Sequence, residues 1–498
     1  MTTLARGEFH QFRGDEAEYL YLVPSAGVVK LDDTTRAVLD ALGDNVIPAR
    51  DLATQVASFF PIEDVRSAVE ELLTVRAIRA VERPVTELPT PENVAPQNDH
   101  PIPHTPYPIP QKVAAEAKKK RSIPLSTLVL NVTSKCNLSC GYCYEYGEDK
   151  IVEAKTKPRF MSEETAKQSV DFMFAESGDM PVVNLTFFGG ETLLNFKMLQ
   201  SSLAYANEKA LTLGKRVNAS LTTNATLLRD EVIDWMVDND VGVTVSIDGS
   251  KEQQDKHRVF SNGTGSYDVI RPRIELLLKR HRKRPIGARV TLTGQNLDVI
   301  GIYKHLFEEI GFWEVGFAPV TTSWQRDYAI EAEGFTTMLR QFQQLAFDYR
   351  DSVLSGKHHG FSNVRDTVEE IHKGMSKSHP CGAGFGLLGV ATDGDVALCH
   401  RFAGSDAHKI GSVFEGVDRS GQEEFLAKHH IDLKTDCSRC WARPLCAGGC
   451  YHEAHTRYGS TERPNLHYCE WIRAWTHTCL EVYGSLAERK PEFLNQLA

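Results

Sequence analysis

Between residues 126 and 319, short apolar runs alternate with longer stretches in which apolar residues recur every three or four positions. A short run bounded by turn residues reads as a buried strand, and the longer period reads as a helix with one apolar face. Strands are predicted at Leu128–Val132, Val182–Phe188, Val217–Leu221, Val241–Ser246, Ala288–Thr293 and Glu314–Pro319. Between them, Ser162 caps a helix whose face holds Ala166, Val170, Met173 and Phe174. Further helices are predicted near 195–213, 229–238, 266–281 and 299–310. Six β/α units in succession imply an α/β fold with a parallel sheet, curved as a partial (β/α)6 barrel related to the TIM barrel. Chemistry in such barrels sits at the C-terminal ends of the strands.

The N-terminal pattern is different. Glu18–Val23 and Val28–Leu31 read as a hairpin turned by Pro24-Ser-Ala-Gly27. Asp32 or Asp33 can cap a following helix with Val38, Leu39 and Leu42 on one face, which Gly43 ends. Helices near 49–59 and 62–74 and a closing strand at Ala77–Val81 complete a winged-helix-like module over residues 1–82. Nine prolines between Pro84 and Pro110 then forbid a continuous helix. Residues 83–121 are therefore predicted to be an extended linker, and the run Lys118–Arg121 a solvated charged end. The barrel is assigned to 122–330, a helical bridge to 331–380 and a cysteine-rich domain to 381–498.

Charge and composition narrow the possible roles. A net charge of −10 argues against a general nucleic-acid binder. No apolar run approaches the roughly 20 residues of a membrane span, and Met1–Gly14 has no apolar core of signal-peptide type. The expected location is the cytoplasm. Eleven cysteines in a reducing compartment point to metal binding or thiol chemistry rather than disulfides.

Cys136, Cys140 and Cys143 follow the first barrel strand, in Lys135-Cys-Asn-Leu-Ser-Cys140-Gly-Tyr-Cys143. Thiolates suit iron–sulfur clusters. Three of them can hold three irons of a four-iron cluster and leave the fourth open to another ligand. A structural zinc site would want a fourth ligand nearby, and there is none. The CX3CXΦC pattern, with Tyr142 as Φ, resembles the signature of the radical S-adenosylmethionine superfamily. The resemblance implies that the open iron chelates the methionine part of the cofactor, whose reductive cleavage gives a 5′-deoxyadenosyl radical. Gly189-Gly190-Glu191 looks like the segment that receives the cofactor's amino group. Asn224, Ser246 and Arg258 fall where similar enzymes contact its ribose and carboxylate. Each of these segments follows a predicted strand.

A second string reads Cys381-X12-Gly394-X4-Cys399, then Cys437-X2-Cys440-X5-Cys446-X3-Cys450, then Cys469. It resembles the SPASM iron–sulfur domain. By position, the resemblance implies one auxiliary four-iron cluster on Cys437, Cys440, Cys446 and Cys469, and another on Cys381, Cys399 and Cys450. Some relatives carry a further cysteine where Leu387 stands, so the latter cluster is expected to keep an open iron that a substrate thiolate could take. Cys479 reads as a buried structural thiol. Sulfatase-maturing relatives place an acidic residue directly after the GX4C cysteine, as a base; here that residue is His400. No residue is assigned as catalytic acid or base.

The N-terminal module is similar to the peptide-recognition element that accompanies peptide maturases, itself like the small pyrroloquinoline-quinone chaperone. A winged-helix DNA-binding module is the competing reading. Asp32, Asp33, Asp40 and Asp44 and the lack of a basic face weigh against it. The whole arrangement resembles radical S-adenosylmethionine/SPASM peptide maturases, most closely those of quinohemoprotein amine dehydrogenase. The resemblance implies thioether links between cysteine sulfur and Asp or Glu methylene carbons in a small Cys-rich subunit. It also implies an electron donor such as flavodoxin or ferredoxin as partner. The rival readings are carbon–carbon crosslinking, formylglycine formation, and a non-enzymatic iron–sulfur scaffold or redox sensor.

Overall fold

The computed structural model describes residues 2–81, 123–145, 147, 149–151 and 157–497. The predicted proline-rich linker and basic run lie outside these residues. The chain divides into two compact units: residues 1–8 with 31–123, and residues 9–30 with 124–498.

In the smaller unit, β1 (Thr3–Arg6) is the centre of a three-stranded antiparallel sheet. β2 (Phe9–Arg13), β3 (Glu18–Leu22) and β4 (Gly27–Lys30) form a separate antiparallel sheet of the larger unit. Beside β1 run β5 (Val46–Pro48) and β6 (Ile78–Val81). Helices Asp33–Leu42, Ala49–Val56 and Ile62–Thr74 complete this unit. Asp32 caps the first of them, its carboxylate accepting from the Thr35 amide at 2.7 Å. Sequence periodicity predicts the three helices and β6, and it places the closing strand in one module with the hairpin. The strand instead pairs with β1, a four-residue segment too short to declare itself by pattern.

The hairpin gains a third strand, β2, and packs within the larger unit. The physical reason is its apolar face. Phe12, Tyr19 and Tyr21 are buried in the large core, together with residues of the helix Cys469–Arg489. Glu488 of that helix accepts from the Glu16 and Ala17 amides at 2.9 and 3.0 Å. The His10 ring stacks on Trp441 at 3.6 Å.

The barrel strands are β7 (Thr127–Asn131), β8 (Val182–Phe188), β9 (Arg216–Thr223), β10 (Gly242–Ser246), β11 (Gly287–Leu292) and β12 (Glu314–Pro319). They are parallel and lie side by side in chain order. Side chains alternate across each strand. Along β8, Val183, Leu185 and Phe187 are fully buried. The opposite face is polar: Asn184 accepts from Asn218 at 2.8 Å, and Thr186 meets Ser220 at 3.0 Å. This polar face looks into the barrel. The bridge predicted as one helical stretch is two helices, Ala332–Leu354 and Ser362–His372.

One feature of the sheet is absent from the sequence pattern. β13 (Leu387–Val390) adds to the free edge of β7 in parallel register, and β14 (Asp395–Ala397), β15 (Lys409–Ser412) and β16 (Gly416–Val417) continue antiparallel. The cysteine-rich region thereby begins as part of the barrel sheet. Among the described residues no helix is long and apolar enough to cross a membrane.

Candidate active site

The first three cysteines occupy the loop after β7, braced by two neighbours. The Ser139 amide donates to the Val259 carbonyl at 2.7 Å, and the Gly190 and Glu191 amides donate to Thr133 and Lys135 carbonyls at 2.9 and 2.8 Å. Gly189 is required for that second contact. Its φ is +126°, and a Cβ there would lie 2.4 Å from the Thr133 carbonyl oxygen.

Cys136, Cys140, Tyr142, Cys143, Gly189, Gly190, Asn224, Ser246 and Arg258 all line one cavity of about 570 Å³ at the C-terminal ends of the strands. Glu191 does not. It is fully buried behind the cavity, where its carboxylate accepts from the Leu193 amide, the Thr223 hydroxyl and the Asn224 amide at 3.1, 2.7 and 2.8 Å. In this structure it ties the loop after β8 to the loop after β9. Burial raises its carboxyl above the usual range.

Cys136 Sγ receives N–H groups from the Leu138 amide at 3.4 Å and the Asn224 side chain at 3.7 Å. Burial pushes the Cys136 thiol up to about 11 and the Cys140 thiol up to about 12, and neighbouring cysteines add to both. Thiols so placed ionise only against a strong positive charge, which bound metal supplies. Soft donors, N–H groups aimed at sulfur and a glycine cradle fit a thiolate-ligated iron–sulfur cluster. Among the described residues no three His, Cys, Asp or Glu side chains gather around a single-ion position.

Asp248 organises the far wall. It is 1% exposed and accepts from Arg258 Nε at 2.9 Å, from the Thr291 amide at 3.0 Å, and from the Tyr142 hydroxyl. The Arg258 guanidinium lies over the Tyr142 ring at 5.4 Å. Asp248 thus fixes two predicted site residues at once. Its Ser-x-Asp-Gly setting after a strand is the signal by which the sequence could have singled it out.

The remaining cysteines fall into two groups by mutual electrostatic influence. Cys381, Cys399 and Cys450 form one. Cys437, Cys440, Cys446 and Cys469 form the other. A cation stands beside each group. The Lys434 ammonium is buried, makes no hydrogen bond and lies next to Cys437 and Cys446. Arg401 lies near Cys399 and Cys450. At Lys434, a buried cation without a hydrogen-bond partner among the described residues fits a negatively charged, thiolate-ligated group. Tyr144 feels both Cys143 and Cys399, and Arg401 covers its ring at 4.7 Å, so these two residues lie between the first and second thiol groups. Cys479 is fully buried in the helix Cys469–Arg489, away from all three groups. His400 lines the cavity, and burial lowers its imidazole to about 3.

Residues 130–306 match the model of the radical SAM superfamily. The chain is 28% identical over 399 residues to a serine-type anaerobic sulfatase-maturating enzyme of Bacteroides thetaiotaomicron, covering 75% of this chain and 93% of that protein. It is 25% identical over 377 residues to a cysteine-type anaerobic sulfatase-maturating enzyme of Clostridium novyi, covering 70% and 94%. Its fold is similar to that of native anSMEcpe with bound AdoMet, with a TM-score of 0.61 and 20% identity over 75% of this chain and 100% of that one. Residues 130–306 are accordingly a radical SAM domain.

Proposed function

We propose that this chain is a radical S-adenosylmethionine enzyme that modifies a peptide or protein. Its reaction on this reading is the formation of thioether links between cysteine sulfur and the side-chain methylene carbon of Asp or Glu. The observation that carries the reading is the grouping of ten cysteines as three, three and four, with the first two groups flanking Tyr144 and Arg401 beside one cavity. When bound, the cofactor and its cluster would supply a carbon-centred radical able to accept hydrogen from a substrate carbon, and a further cluster would supply an acceptor for the one electron that carbon–sulfur bond formation releases.

The protein's own part is placement. Cys136, Cys140 and Cys143 would hold the first cluster, and Gly189 and Gly190 would let the cofactor approach the backbone. Asn224, Ser246 and Arg258 would orient its polar groups. Cys381, Cys399 and Cys450 would hold an auxiliary cluster with one iron open to a substrate thiolate. Cys437, Cys440, Cys446 and Cys469 would hold the second. Residues 1–82 would capture a leader peptide by strand addition, for which β5 and β6 offer sheet edges. The substrate we favour is the small Cys-rich subunit of a quinohemoprotein amine dehydrogenase, with flavodoxin or ferredoxin as electron donor.

A second reading, formylglycine formation, draws support from the sulfatase-maturating relatives. Against it stands His400, a neutral imidazole at the position where an acidic base is expected. Mass spectrometry of a Cys-rich subunit peptide, after incubation with reduced, cluster-loaded protein and S-adenosylmethionine, separates the two. Thioether formation removes two hydrogen atoms per link and leaves the cysteine resistant to alkylation. Formylglycine instead creates an aldehyde that a hydrazide captures. Absence of 5′-deoxyadenosine would refute the enzyme reading itself.

A further inference from the structure

Two arginines of the cavity, Arg289 and Arg401, stand apart from the Asp248–Arg258 pair. Arg289 projects from β11, whose register places it beside Gly316 of β12. The glycine makes room: a Cβ at 316 would stand 3.3 Å from an Arg289 Nη. Arg401 follows Cys399, and its guanidinium donates to the Thr321 hydroxyl at 2.9 Å. Both line the cavity. The Arg289 side chain is exposed, projecting into the open cavity rather than packing against neighbours.

Neither guanidinium is ion-paired with a carboxylate among the described residues. The acids nearby are already engaged. Glu314 pairs with Arg365, and Asp366 accepts from Arg365 at 2.8 Å. Asp248 holds Arg258. Desolvation and then repulsion from Arg401 push the Arg289 guanidinium below its usual range, against the pull of Asp366. Both guanidiniums face one cavity, and neither has an ion-pair partner of its own among the described residues. Each carries a planar fork of N–H donors whose geometry matches a carboxylate.

We propose that Arg289 and Arg401 together form the subsite for an acidic side chain of the substrate. The inference rests on the reading of the chain as a peptide-modifying radical enzyme and names the feature of the peptide that this cavity selects. Arg401 also adjoins Cys399 and Cys450. A carboxylate held there stands next to the thiol group proposed to receive substrate sulfur, so the two side chains to be joined meet in one cavity.

The test is binding, which needs no turnover. Two Cys-containing peptides of the amine dehydrogenase small subunit, identical except for Asp or Asn at one position, are titrated into cluster-loaded protein with S-adenosylmethionine present. The wild type is expected to prefer the acid by about tenfold to a hundredfold, the range of one charge-assisted hydrogen-bonded pair. Arg289→Gln should abolish the preference, and Arg289→Lys should restore part of it. Equal affinity of the wild type for acid and amide, including failure to bind either, overturns the proposal whether or not any variant folds. So does an Arg289→Gln protein that keeps the preference while losing affinity for S-adenosylmethionine, because the arginine would then serve the cofactor's carboxylate. Failure to form 5′-deoxyadenosine alongside a clear acid preference would instead sink the enzyme reading and leave the subsite standing.

Discussion

At the scale of single residues, Asp248 connects the site to the fold. One buried carboxylate orients Tyr142 from the cysteine loop and Arg258 from the segment after β10, and it accepts an amide of β11. Removing one partner of a buried pair leaves the other charge uncompensated, at a cost of about 3–5 kcal/mol. Asp248→Asn is therefore expected to lower the denaturation midpoint and to weaken S-adenosylmethionine binding in the same protein, as measured by denaturant titration and calorimetry. An unchanged midpoint would show that the ion pair contributes nothing. The cysteines and glycines of the site were legible in the sequence because a cluster and a close backbone approach demand residue types at fixed local spacing. Arg289 and Arg401 were not. A lone arginine on the polar face of a strand resembles any solvated residue, and its isolation from carboxylates emerges only in three dimensions.

Among elements, the succession of short apolar runs and longer stretches of helical period made the barrel readable, since each buried strand must be followed by a helix that covers the sheet. The strand at Glu314–Pro319 and the helix Ile62–Thr74 fall where the pattern places them. β13 was invisible because four residues carry too little pattern, and its partner in β7 is remote in the chain. The consequence of that pairing is local and sharp. Gly389 of β13 lies against the turn that bears Cys399, and a Cβ there would sit 2.5 Å from the Cys399 carbonyl carbon and the His400 nitrogen. Gly389→Val is expected to displace Cys399 and, on the proposed reading, to cost the iron of the auxiliary cluster assigned to it, while cofactor cleavage at the first cluster persists. Iron content and 5′-deoxyadenosine assays on the reconstituted variant give the two readouts. Full iron content would mean that the turn yields without harm to the ligand.

For the molecule as a whole, the ten-stranded sheet joins the radical SAM domain to the cysteine-rich region through a single edge, β7 against β13. An unpaired edge strand offers a row of free backbone groups to any other chain. A fragment of residues 124–380 is therefore expected to aggregate or self-associate, as sedimentation would reveal, and a stable monomeric fragment would refute this account. Time gives the same pairing another meaning. Gly386, which receives the Ser126 hydroxyl just before β13 begins, lies 260 residues further along the chain. At about 5–20 residues per second, the first barrel strand waits on the order of ten to fifty seconds on the ribosome for its neighbour. The nascent barrel must be sheltered through that interval, and the sheet that leads to Cys399 is completed only after it. On the proposed reading, metal loading at Cys399 therefore follows that of the first thiol group, which the chain presents some 260 residues earlier.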